Sequence, residues 1–165
     1  MKELLKIIFD DLAFYSGSTF GKKVMTFFFK PAFRLMRNYR LGNYFFYHRS
    51  FISGPILIYL KHRQLKYNSC QISYETKIGR KLNLPHPVGI VIGKGVQIDD
   101  NVSLYQNCTL GRKRGNEYPH IKKGVTIYPS SIIVGSVIIG EGATIGALSF
   151  VNKSIKSNQV YFNKD

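Results

Sequence analysis

Few side chains in this sequence of 165 residues could do chemistry, and the first of them is a histidine held between two prolines. His86 stands in the run Leu84-Pro85-His86-Pro87-Val88. A free imidazole titrates near ~6.5, so a neutral, proton-accepting form is available at neutral pH. The flanking prolines restrict the backbone that carries it. From the residues alone, His86 is either a positioned general base or an ordinary turn histidine. A second polar group, Asn116, Glu117, Tyr118 and His120, follows the basic run Arg112-Lys113-Arg114. The two cysteines, Cys70 and Cys108, lie in no CxxC or Cys/His spacing, and no zinc-ligand set accompanies His86 and His120. They read as reduced thiols of a cytoplasmic protein, and no metal is expected.

The elements that must position these residues follow two different periods. From Ile72, every sixth residue is apolar or cysteine: Ile72, Ile78, Leu84, Ile90, Val96, Val102 and Cys108. The register slips by one across Arg112–His120 and resumes as Ile121, Ile127, Ile133, Ile139, Ile145 and Val151. Small or branched residues follow many of them four positions later: Thr76, Val88, Val125, Ser131, Val137, Ala143 and Ser149. No helical period gives a sixfold spacing sustained this long. A hexapeptide repeat is the signature of a parallel β-helix, in which each repeat supplies a short strand and a turn. Three repeats close one triangular coil of about 18 residues, with the recurring residue stacked inside.

Residues 1–68 have a different grammar, and they form an N-terminal helical segment ahead of a β-helix domain over 69–165 with an excursion loop at 112–120. Leu4, Leu5, Ile8 and Leu12 recur at helical spacing, and a second helical run is expected over Lys22–Phe29, stopped near Pro31. Aromatic and basic residues interleave throughout this segment. Such a surface packs against the rest of the protein or a sister subunit, or lies peripherally on an anionic membrane face. The formal net charge of +15 favours anionic partners, but no nucleic-acid-binding motif is present and nucleic acid is not expected. The best spanning candidate, Leu41–Leu60, is broken by His48, Arg49 and Ser53-Gly54-Pro55, and no secretory leader is expected at Met1–Tyr15.

Three stretches carry a family likeness: Lys77–Gly93 around His86, Val102–Gly111 with the loop ending in Pro119-His120-Ile121, and Ile139–Ala147. Through them the chain resembles the hexapeptide-repeat acyltransferases, in their serine acetyltransferase-like branch, and also the acetyltransferases of bacterial exopolysaccharides and capsules. The resemblance implies a mainly β fold, a left-handed parallel β-helix of hexapeptide repeats behind a short N-terminal α-helical segment. It also implies a homotrimer with active sites in the clefts between neighbouring subunits. Acetyl-coenzyme A is the implied donor, and His86 matches the catalytic histidine. Gly111, Gly146 and Ala147 match cofactor-binding positions, with Arg112 and Lys153 as cations for its phosphates.

The chain also departs from the serine acetyltransferase pattern. Gln71 stands where an aspartate would orient the base, and an amide cannot stabilise an imidazolium as a carboxylate would. Pro85 replaces an acid, and Glu117-Tyr118 replace an Arg-His pair that would meet a carboxylate. The long N-terminal helical domain is not expected either. These departures favour a saccharide hydroxyl of bacterial surface polysaccharide as acceptor, with Asn116, Glu117, Tyr118 and His120 as its contacts. The alternatives are serine O-acetyl transfer in cysteine biosynthesis, and a β-helix scaffold without catalysis.

Overall fold

The computed structural model describes residues 1–163. The chain runs through four helices, α1 (Lys2–Ser16), α2 (Phe20–Phe29), α3 (Pro31–Tyr47) and α4 (Ser53–Asn68), and then through strands of two or three residues, β1 (Gln71–Ile72) to β13 (Val160–Tyr161). The strands stack into three parallel sheets. The first holds β1, β3 (Val91–Ile92), β6 (Thr109–Gly111), β9 (Ile132–Val134) and β12 (Phe150–Val151). The second holds β2 (Lys77–Ile78), β4 (Gln97–Ile98), β7 (His120–Ile121) and β10 (Ile138–Ile139). The third holds β5 (Ser103–Leu104), β8 (Thr126–Ile127), β11 (Thr144–Ile145) and β13. The chain visits first, second and third sheet in turn, so three corners run along the resulting triangular prism.

The expected inward residues all point inside: Ile78 is 8% exposed, and Ile90, Ile133 and Ile145 are fully buried. The sixfold row is nevertheless two interior columns rather than one. Ile72, Ile78 and the residues from Ile121 to Val151 are the second residues of their strands. Ile90, Val96, Val102 and Cys108 instead sit immediately ahead of β3, β4, β5 and β6. The cause is visible in the register. Gln71 pairs with Val91, Val91 with Thr109, Thr109 with Ile132 and Ile132 with Phe150, so successive turns take twenty, eighteen, twenty-three and eighteen residues. Two extra residues at the corner carrying His86 shift the sixfold count from one column to the other. They also leave Val88, four residues after Leu84, outward and 54% exposed. Five extra residues make the loop between β6 and β7. The loop spans 112–119, because His120 already lies extended in β7 so that Ile121 can fill the interior.

A solenoid leaves an unpaired edge at each end, and an open edge with unsatisfied backbone groups is a liability. Here the helices cover the first coil, and they do so with specific polar side chains. On the first sheet, Gln64 of α4 accepts from the Ile72 N–H at 2.8 Å and donates to its carbonyl at 3.3 Å. On the second, Arg40 of α3 donates to the carbonyls of Ile78 and Gly79, both at 2.6 Å, while Asp11 of α1 accepts from its Nε at 2.9 Å. Tyr39 donates to the Thr76 carbonyl and Asn43 to that of Tyr74. Towards the third, Tyr15 donates to the Leu82 carbonyl. Gly42 lets α3 lie flush on this end: a Cβ there would overlap the Tyr74 ring. Leu4, Ile8 and Leu12 form the buried stripe of α1, as their spacing predicts.

The Arg40–Asp11 pair is buried on both sides. Removing one partner of such a pair strands the other charge, and here two carbonyls as well. Arg40→Met should therefore lower the unfolding free energy by about 3–5 kcal/mol. Arg80→Met, which breaks only the exposed contact to Asp10 at 3.5 Å, should cost no more than about 1 kcal/mol. Urea denaturation of both variants measures the difference.

Candidate active site

His86 is exposed at the corner between the third and first sheets. Its loop is pinned from three sides. The Val88 N–H donates to the His86 carbonyl at 2.8 Å, the Asn107 N–H donates to the Val88 carbonyl at 2.9 Å, and the Cys70 thiol meets the Pro87 carbonyl. Gly89 continues the corner at φ +66°, a conformation that most side chains resist. The imidazole opens onto a hollow of about 560 Å³ whose floor comes from the helices, through Tyr15, Lys30, Lys66 and Tyr67, with Asn83 beside them. Among the described residues no carboxylate is hydrogen-bonded to the imidazole. Gln71 lines a separate hollow with Gln64 and Val91.

Along the same corner the rings form a row. The His86 and Tyr105 centroids lie 6.4 Å apart, and Tyr105 stacks on Tyr128 at 5.1 Å with 15° between the planes. Sheet register carries this row on to Gly146, since Leu104 pairs with Ile127 and Ile127 with Ile145. Ala147 is exposed next to it. Two aromatic faces followed by two residues with little or no side chain make a smooth strip leading away from the histidine. Tyr105 and Tyr128 were not legible as site residues. Their only signal is that each directly follows an inward strand residue, a position that every coil has.

The remaining expected residues stand elsewhere. Gly111, Arg112, Asn116, Glu117, Tyr118 and Lys153 belong to the corner between the first and second sheets. Arg112 folds back onto its own loop, its guanidinium 3.4 Å from the Gly115 carbonyl. Tyr118 anchors the loop: its ring packs on Gly93 and leaves no room for a Cβ at Gly95. Lys153 is exposed with its ammonium 5.6 Å above the Tyr161 ring. His120 projects from β7 and pairs with Asp99 at 2.8 Å, with Lys122 at 3.9 Å from the other carboxylate oxygen. One protomer thus brings Gly146 and Ala147 to the edge that carries His86, and leaves the 112–119 loop on a different edge. Among the described residues, no group of three His, Cys, Asp or Glu side chains could hold a metal ion.

Residues 118–153 match the protein family described as bacterial transferase hexapeptide (six repeats). The match spans β7 to β12. Similar proteins include the serine acetyltransferase of Buchnera aphidicola subsp. Schizaphis graminum, 35% identical over 127 residues that make up 74% of this chain and 48% of the relative. The serine acetyltransferase of Escherichia coli K12 is 33% identical over 122 residues, 72% of this chain and 44% of the relative. The chain spans about half the length of the curated relatives it matches. Among solved structures, the soybean serine acetyltransferase complexed with serine superposes with a TM-score of 0.86 at 23% identity, covering 99% of this chain and 68% of that one. The Brucella abortus serine acetyltransferase in complex with coenzyme A gives 0.84 at 23%, covering 99% and 66%. These likenesses establish the left-handed β-helix fold with its helices in front.

The relatives overturn the expectation of a saccharide acceptor in surface polysaccharide synthesis, since those matched are serine acetyltransferases. One of its premises also fails physically. Tyr118 is spent on packing against glycines, so its place in the sequence reports loop anchoring and not acceptor chemistry. The helical segment lies within the 99% of the chain that superposes on the solved enzymes, of which 66% and 68% are covered.

Burial raises the pKa of both Cys70 and Cys108 above the ordinary thiol range. Neither should react with a disulfide reagent at neutral pH in the folded protein, and both should react in denaturant. Fast labelling of either thiol in the native state would contradict the packing.

Proposed function

We propose that this chain is an acetyl-coenzyme A-dependent O-acetyltransferase acting on serine. The observation that carries the proposal is the exposed, proline-braced His86 at the head of the strip formed by Tyr105, Tyr128, Gly146 and Ala147. The serine acetyltransferase relatives support the choice of acceptor. His86 takes the proton of the serine hydroxyl as its oxygen attacks the thioester carbonyl. The carbon–sulfur bond breaks, and the imidazolium returns the proton to the departing thiolate. The products are O-acetylserine and free coenzyme A. The strip next to His86 offers the pantetheine arm a flat, unobstructed approach, which holds the thioester in line with the hydroxyl.

The 112–119 loop and Lys153 act in this reading from a second subunit, because they occupy a different edge from His86. A homotrimer on the prism axis brings such edges together. The reaction belongs in the cytoplasm, and two buried, free thiols are at ease in a reducing compartment.

Thiol release from acetyl-coenzyme A with serine as acceptor tests the proposal. His86→Ala should lower kcat/KM by a factor of about 10²–10⁴, the ordinary contribution of a general base. Equal turnover by the two proteins removes His86 from the chemistry, and wild type idle with serine removes the acceptor. Co-assembling His86→Ala chains with chains shortened over 112–118 should restore part of the activity, since some clefts then pair an intact histidine with an intact loop. Separate assays of each parent give the baseline.

A further inference from the structure

Helix α2 is turned inside out. Its buried residue is Thr26, while Phe20, Met25, Phe28 and Phe29 are 80%, 59%, 59% and 65% exposed. Residues 20, 24 and 28 follow one another at four-residue spacing, as do 25 and 29, so together they form one continuous apolar arc. Lys22 and Lys23 lie on its flanks. An amphipathic helix that packed onto its own protein would point this arc inward.

The surroundings say what covers it. Between Asp11 and Glu75 the sequence contains no aspartate or glutamate, and it contains ten lysines and arginines. Of these, Arg40 alone is paired with a carboxylate among the described residues. Arg34, Lys66 and Arg63 converge on the ring of Tyr67, at 5.2, 5.7 and 5.9 Å. Arg37 lies close enough to Arg63 and Arg34 that burial and these two charges lower its pKa. Lys30, at the end of α2, and Lys66 line one hollow, so the cationic surface runs from α2 to the rim of the candidate site. A second copy of this face would bring the same cations and repel. An anionic bilayer complements both features, accepting aromatic side chains below its headgroups and neutralising lysine and arginine at them. At 10 residues α2 is about 15 Å long, suited to lying in the interface and too short to span.

We infer that α2 and the acid-free surface beside it dock this protein peripherally on an anionic membrane, with Phe20, Met25, Phe28 and Phe29 in the headgroup region and Lys22 and Lys23 at the phosphates. This stands apart from the acceptor assignment and from His86.

Flotation with vesicles tests it, using full-length protein, phosphatidylcholine alone and phosphatidylcholine with roughly a third phosphatidylglycerol. The wild type should partition onto the anionic vesicles at least tenfold better than onto the neutral ones, and high salt should weaken binding. Phe28→Ser with Phe29→Ser, and separately Lys22→Gln with Lys23→Gln, should each reduce binding about tenfold while leaving helical circular dichroism and thiol release unchanged. Equal binding to both vesicle types, or no binding, overturns the inference. So does a Phe28/Phe29 variant that floats like wild type. A wild type that self-associates through this face, as a larger species in light scattering that the Phe28/Phe29 variant abolishes, assigns the arc to a second copy and also overturns it.

Discussion

A β-helix can begin only where something accepts the backbone groups of its first coil, and in this protein that duty falls on a few polar side chains from three helices. Arg40 is the centre of the arrangement. It is buried, it is held by Asp11 from α1, and it closes two carbonyls at the foot of the second sheet. Gln64 completes the first sheet as a strand would, accepting one bond and giving another. Tyr15 and Tyr39 finish the remainder with their hydroxyls, and burial pushes the pKa of Tyr39 up to about 12, so it stays a neutral donor throughout the physiological range. Every coil above rests on this first one, because the strands of successive coils are hydrogen-bonded to one another in unbroken parallel ladders.

The candidate site inherits its precision from the same stacking. The corner that carries His86 is longer than its successors by two residues, and the excess is braced by two prolines and by the coil above through Asn107. The bulge projects the imidazole while the interior column below it remains closed. Later coils, lacking the insertion, set back Tyr105, Tyr128 and Gly146, and the result is a step with the histidine at its head. Separation of His86 from the 112–119 loop follows from topology alone: insertions at different corners of a triangular prism cannot meet within one chain.

Much of this was legible in the order of residues, and the limits of legibility have physical causes. A period of six cannot belong to a helix or an ordinary strand, so the solenoid could be read from Ile72 to Val151. Two positions of each hexapeptide, two residues apart, face inward, however, and both accept Ile or Val. A row that crosses from one column to the other at the His86 bulge therefore looks unbroken. α1 announced itself through Leu4, Ile8 and Leu12. α3 and α4 did not, because their inward faces mix apolar residues with Asn38, Arg40, Ser53 and Gln64, of which Arg40 and Gln64 pair with the first coil, and such polar residues are silent in any count of hydrophobic spacing. His86 was visible as a group able to accept a proton. The tyrosines beside it and the lysines beneath it come from distant stretches and are joined only by folding. The loop residues misdirected the choice of acceptor because Tyr118 serves as ballast for the loop against Gly93 and Gly95.

The two ends of the prism are finished very differently. The lower rim is locked to α1, α3 and α4 by side chains matched to individual carbonyls, whereas the upper rim is met by Tyr161 and Asn163 reaching over Leu148 and Phe150. Growth and shrinkage of such a column are therefore directional. Whole turns can be gained or lost near the tail, each new floor presenting the same kind of rim as the floor it replaces. The foundation tolerates no such change, since a turn added in front of Gln71 would present different atoms to Arg40, Gln64 and Tyr15. Lineages built on this plan should vary in height at the top while keeping the ground floor constant.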